Sequence, residues 1–170
     1  SGKMKTEIEM LELLERELQA LQAHTYRART PEDLREILGA ICGSVPREQI
    51  RCEDRPFLRQ LELGVPVHAT GKTGTGSAEE VFSFQDIQTG ITGADYALAD
   101  TGTLVLFSGA SGGRWLSLAP PRHVALVPED RILPSLADFL ALFPSGEALQ
   151  PLGSAVTFIS GASRTADIEL

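Results

Sequence analysis

From Gly90 to Leu106 the chain reads GITGADYALADTGTLVL, and a second stretch, ISGASRTADIEL, runs from Ile159 to Leu170. Each sets small, hydroxyl and acidic residues at the edge of a β-branched or leucine-rich run. That is the pattern of a turn at the end of a buried strand, and strands buried on both faces need helices to cover them. In open α/β sheets such strand ends are where ligands bind. The two stretches therefore mark where function sits before they say what it is.

Helical patterns surround them. Leu11, Leu14, Leu18 and Leu21 recur at three- and four-residue steps within Met4 to Ala23, with charged residues between them, which predicts an amphipathic helix. Its leucine stripe can pack on its own domain or offer a surface to a partner. Thr30-Pro31-Glu32-Asp33 opens a second helix: Thr caps, Pro fits the first helical position and the acids meet the dipole. That helix carries Leu34, Ile37, Leu38 and Ile41 and ends near Gly43. The pattern then predicts a strand closed by Val45-Pro46, a short helix over Phe57 to Leu63, and a short strand over Val65 to His68. A capping box at Ser77 and Glu80 starts a helix reaching about Gln88. Strands are expected at Thr103 to Phe107, Trp115 to Leu118, His123 to Val127 and Val156 to Ile159. A helix over Pro134 to Phe143 places Leu136, Phe139, Leu140 and Phe143 on one face. Alternation of helices with apolar strands in the second half predicts an α/β fold with a mostly parallel sheet.

Composition narrows the chemistry. The chain has 170 residues, enough for one domain with a sizeable core, read here as a single domain over 4–170. Ser1-Gly2-Lys3 reads as a cloning remnant, and the stop at Glu169-Leu170 falls mid-pattern, as if the natural polypeptide continued. A net charge of −8 argues against nucleic-acid binding and against anionic membrane surfaces. No apolar run is long enough for membrane insertion. Cys42 and Cys52 lack metal or redox spacing and read as reduced thiols of a cytoplasmic protein. His24 and His68 have no neighbours at ligand spacing, so no metal site is expected.

Thr70-Gly71-Lys72-Thr73-Gly74-Thr75-Gly76-Ser77 resembles a phosphate loop only in part. Pro66 stands five residues before Gly71-Lys72, where the phosphate loop needs glycine. Glu79 occupies the third glycine position of a dinucleotide motif begun at Gly74. The segment reads as a surface loop.

The candidate ligand residues lie in the two opening stretches. Asp95 and Asp100 can accept hydrogen bonds from a substrate or can cap their own turns. Thr101, Gly102 and Thr103 offer hydroxyls and N–H groups. Ser160, Gly161, Ser163, Arg164 and Thr165 form the better anion site, with Arg164 able to grip carboxylate or phosphate in a fork. Asp167 and Glu169 can instead hold Arg164 in an ion-pair network. His123 reads as a strand-edge histidine and Trp115 as a packing residue. No nucleophile–base pair stands out.

With these motifs in view, the chain resembles the LUD-domain family, named for lactate utilization, and most closely its C branch. The resemblance rests on TGADYALADTGT from Thr92, LAPPRHV from Leu118 and SGASRTADIE from Ser160. Ala162 departs from the usual Pro, the 108–114 turn lacks the usual acidic and Asn character, and a Gly-His-Gly-Pro-like segment is absent. The resemblance implies a NagB/RpiA/CoA-transferase-like three-layer sandwich. It implies a cytoplasmic, non-redox component of a system oxidising L-lactate to pyruvate, which binds a small carboxylate or phosphate, or a partner subunit. No cofactor is then expected in this chain, and the iron–sulfur clusters belong to partner subunits. The alternative on the same scaffold is a self-sufficient transferase, isomerase or cyclo-ligase-like enzyme acting on a phosphorylated, CoA-linked or folate substrate.

Overall fold

A computed structural model describes residues 6–67, 86–107, 113–143 and 155–161. Helix α1 (Glu7–Ala20) starts at a capping box in which Thr6 and Glu9 satisfy each other's backbone N–H groups. Helix α2 (Pro31–Cys42) starts the same way from Thr30 and Asp33, with Pro31 in the first turn. No strand forms at Val45-Pro46. Pro46 has no N–H for a ladder; it leads instead into a 3-10 turn at Arg47–Gln49, and the strand β1 follows at Ile50–Cys52. Helix α3 (Pro56–Gln60) is shorter than the expected one; of the strand expected over Val65 to His68, the described part holds a single bridge between Val67 and Cys52, and His68 lies outside the described residues. The loop at 70–77 and the helix expected after it lie outside the described residues, apart from that helix's last residues.

Strand β2 (Thr89–Gly93) lies between β1 and β5 (Arg122–Leu126), both pairings parallel. The residues of β2 divide by face. Ile91 packs with Leu38, Cys42 and Leu58 of α2 and α3. On the other face, a Cβ added to Gly90 would stand 2.1 Å from the Leu116 carbonyl oxygen, so the missing side chain lets helix α4 (Gly113–Leu118) lie directly on the strand. This helix replaces the strand expected over Trp115 to Leu118. Four apolar-leaning residues carry no period that separates strand from helix, and the glycine groove of β2 accepts the helix. Three layers result: α2 and α3, the parallel sheet, and α4.

The second sheet has the order β6-β3-β4-β7, with β3 (Tyr96–Leu98), β4 (Thr103–Phe107), β6 (Ile132–Leu133) and β7 (Val156–Ile159). Here β3 and β6 run parallel, while β3–β4 and β4–β7 are antiparallel. Strand alternation sorts β3 between two cores. Ala97, with Ala99 just beyond the strand, packs with Leu14 of α1, while Leu98 joins Val105, Phe107 and Phe139. Phe139 belongs to α5 (Leu136–Ala141), whose Leu136 and Leu140 are 45% and 52% exposed. The expected apolar face of that helix thus narrows to Phe139 and Phe143. The α1 stripe packs on its own fold. Among the described residues, no helix is long and apolar enough to cross a membrane.

Candidate functional site

Past the carboxyl ends of β1 and β2 the chain leaves the parallel sheet in two directions. After β1 it enters α3 on the Ile91 face; after β2 it passes through the β3–β4 hairpin and returns as α4 on the opposite face. Such a divergence opens a crevice at the strand ends, the usual ligand position in α/β sheets. Three charged side chains fill it. The Glu53 amide continues the ladder by donating to the Ile91 carbonyl at 2.8 Å. Arg55, held extended before Pro56, caps α3 and turns inward. Its Nε donates to Glu53 Oε1 at 2.8 Å, and its two terminal nitrogens grip Asp95 at 2.8 and 3.0 Å. The other carboxylate oxygen of Glu53 accepts from the Gly93 N–H at 3.0 Å, and Asp95 also accepts from the Phe107 N–H at 2.7 Å.

The cluster is largely out of water: the side chains of Arg55, Asp95 and Glu53 are 15%, 20% and 0% exposed. Burial works against the Arg55 charge, but the Asp95 hydrogen bonds and the Glu53 charge outweigh it and hold its pKa above the ordinary arginine value. Two carboxylates share one guanidinium here, an arrangement that suits hydrogen bonding to a hydroxyl or a cationic group. Next to it, Cys52 is pushed up to about 12, by burial first and then by the Glu53 and Asp54 charges. Cys42 is raised as well, mainly by burial, and both thiols are free and packed in the core.

On the α4 face, His123 Nε2 lies 2.8 Å from Thr92 Oγ1. Thr92 is fully buried, and the imidazole is the hydrogen-bond partner of its hydroxyl. A neutral ring with its proton on Nδ1 can accept from that hydroxyl through Nε2. Burial brings the His123 pKa down to about 4, consistent with a neutral ring.

The far end of the β3–β4 hairpin holds the other candidates. Thr101 and Thr103 hydroxyls lie 2.8 Å apart, and Thr103 lies 2.7 Å from the Ser160 hydroxyl, across the β4–β7 pairing. Gly102 and Gly161 both have positive φ and press against the last turn of α1, at Glu17–Leu18 and Leu21. Asp100 is exposed at the same turn. The two opening stretches therefore meet through Thr101, Thr103 and Ser160. Asp95 does not join them; one residue before Tyr96, whose partner in the hairpin is Val105, it stands three strand steps from the Thr103 end, on the order of 10 Å off. Ser163, Arg164, Thr165, Asp167 and Glu169 lie outside the described residues.

Glu53 and Arg55 are the residues that sequence reasoning missed. The available signal was Glu53-Asp54-Arg55-Pro56 directly after a strand, hidden because the strand itself was expected a few residues earlier. Among the described residues, no group of three or more His, Cys, Asp and Glu is placed to hold a metal.

A model of the LUD domain matches residues 11–170. Lactate utilization protein C of Halalkalibacterium halodurans is 37% identical over 115 residues, covering 67% of this chain and 47% of that protein. Lactate utilization protein C 1 of Bacillus mycoides is 39% identical over 99 residues, 57% of this chain and 42% of the relative. The matched stretch thus spans about half the length of these curated relatives. A crystal structure of a DUF162 family protein from Deinococcus radiodurans shares the fold, with a TM-score of 0.65 at 23% identity over 93% of this chain and 90% of the other.

Proposed function

Since the chain belongs to the LUD-domain family, we propose that it acts in lactate utilization as a cytoplasmic, non-redox component that binds a small acid or a partner subunit. Iron–sulfur partner subunits then carry the electrons taken from L-lactate. The similarity to proteins named lactate utilization protein C is the observation that carries this reading. The cysteines support it. The chain has two, and both serve as core residues with thiols held protonated, whereas cluster ligation takes several thiolates.

Two regions are offered as contact surfaces. The Glu53–Arg55–Asp95 crevice presents hydrogen-bonding groups suited to a hydroxyl. The Asp100–Thr103 turn, joined to Ser160 and Gly161, leads into the sequence carrying Ser163, Arg164, Thr165, Asp167 and Glu169, where Arg164 is the proposed anion contact. Deleting the gene should abolish growth on L-lactate and leave growth on pyruvate intact, with rescue by the wild-type gene. Unimpaired growth and lactate oxidation would overturn the proposal. A tagged copy should also retain proteins containing acid-labile sulfide.

A further inference from the structure

At the amino edge of the parallel sheet, opposite the crevice, lies a cleft of about 360 Å³ lined by Ser44, Val45, Pro46, Gln49, Gln88, Pro121 and Arg122. Three of these residues sit at the starts of three adjacent strands. Gln49 precedes β1, Gln88 precedes β2 and Arg122 begins β5, and backbone hydrogen bonds link them: Gln88 N–H to the Gln49 carbonyl, Arg122 N–H to the Gln88 carbonyl. The side chains of Gln49 and Gln88 have no hydrogen-bond partner among the described residues. Arg122 donates through Nη1 to the Ile41 carbonyl at 2.7 Å, at the end of α2, which fixes the guanidinium and leaves its Nε and Nη2 without a partner among the described residues.

The charge pattern separates this arginine from others. Arg27, Arg35, Arg55 and Arg59 are each held by a carboxylate. Among the described residues Arg122 has none and no acid lines the cleft, in a chain with 23 acidic residues against 15 basic ones. A cleft with one anchored cation, two unpaired carboxamides, a hydroxyl and apolar walls of Val45, Pro46 and Pro121 has the make-up of a small-anion site. We propose that it binds a small organic anion, with carboxylate or phosphate oxygens on the Arg122 fork and further polar atoms on Gln49 and Gln88. This site is separate from the surfaces proposed for lactate utilization and does not depend on that reading.

The test is a titration of the whole chain, followed by NMR at constant ionic strength, with sodium pyruvate and, separately, inorganic phosphate. The Gln49 and Gln88 side-chain amides and the Arg122 Nε–H should shift in a saturable way. A response to pyruvate alone assigns carboxylate, and to phosphate alone, phosphate. Arg122→Gln should weaken binding by about tenfold or more, since a charge-assisted hydrogen bond is lost. Gln88→Ala, an exposed change that leaves the α2 contact alone, should also weaken it. No saturable shift with either anion, or a shift undiminished in both variants, overturns the site.

Discussion

His123 shows how one partly buried ring sets a pH response. Its folded pKa, about 4, lies below the ordinary 6.5. The unfolded chain therefore takes up a proton that the folded chain refuses, and stability falls as pH drops from about 6.5 toward 4. The whole shift corresponds to ~3 kcal/mol. Between pH 6.5 and 5 the carboxylates with lowered values, Glu15 and Asp54, remain mostly ionised in both states. Urea denaturation at several pH values in that window should show the loss in wild type and a flatter response in His123→Gln. An equal slope in both would contradict the neutral-ring assignment. The pairing with Thr92 could not be read locally, because the two residues are 31 positions apart. The same holds for Arg55 and Asp95, separated by 40. Asp95 was legible as a polar residue at a strand edge, but its partners were not, since a fork between distant segments leaves no local pattern.

At the level of elements, chemistry at the ends was the most readable. The cap expected at Thr30 forms, with Asp33 completing a capping box, and β4 occupies the bounds that its apolar run implies. The three-residue β1 and the six-residue α4 were not legible, because neither is long enough to display a period. The glycines of β2 and α2 offer a contrast. An Ala at Gly39, in mid-helix and with nothing within 4 Å of the added Cβ, should stabilise the fold by about 0.5–1 kcal/mol. An Ala at Gly90 meets the Leu116 backbone and the Pro120 ring, and should cost about 3 kcal/mol or more by lifting α4. Thermal melts of the two variants should move in opposite directions; a harmless Gly90→Ala would mean that α4 does not lie on β2 as described.

Across the whole molecule, the hairpin β3–β4 joins two separate neighbourhoods. One end is tied through Asp95 to Arg55 and the parallel sheet, and the other rests through Gly102 on α1. Asp95→Asn removes a charge from a pair with little solvent access and should cost about 3 kcal/mol. Hydrogen exchange should locate the damage: the Phe107 amide, which donates to Asp95, should exchange much faster, while amides near Thr103 change little. Uniform acceleration along the hairpin would show that its two ends are not independent. The layered α/β organisation was legible from the alternation of segments, but its division between a parallel and a mixed sheet was not, because which strands become neighbours depends on long-range packing.

The two core thiols also make the protein a recorder of its own opening. Alkylating reagents are attacked by thiolates, and Cys42 and Cys52 are sealed and held protonated on either side of one interface, the first on α2 and the second on β1. Iodoacetamide therefore labels only molecules in which that interface has parted. Equal labelling rates at the two positions would mean that helix and strand separate in one cooperative event. Faster labelling of Cys42 would mean that α2 peels away first and leaves the sheet standing.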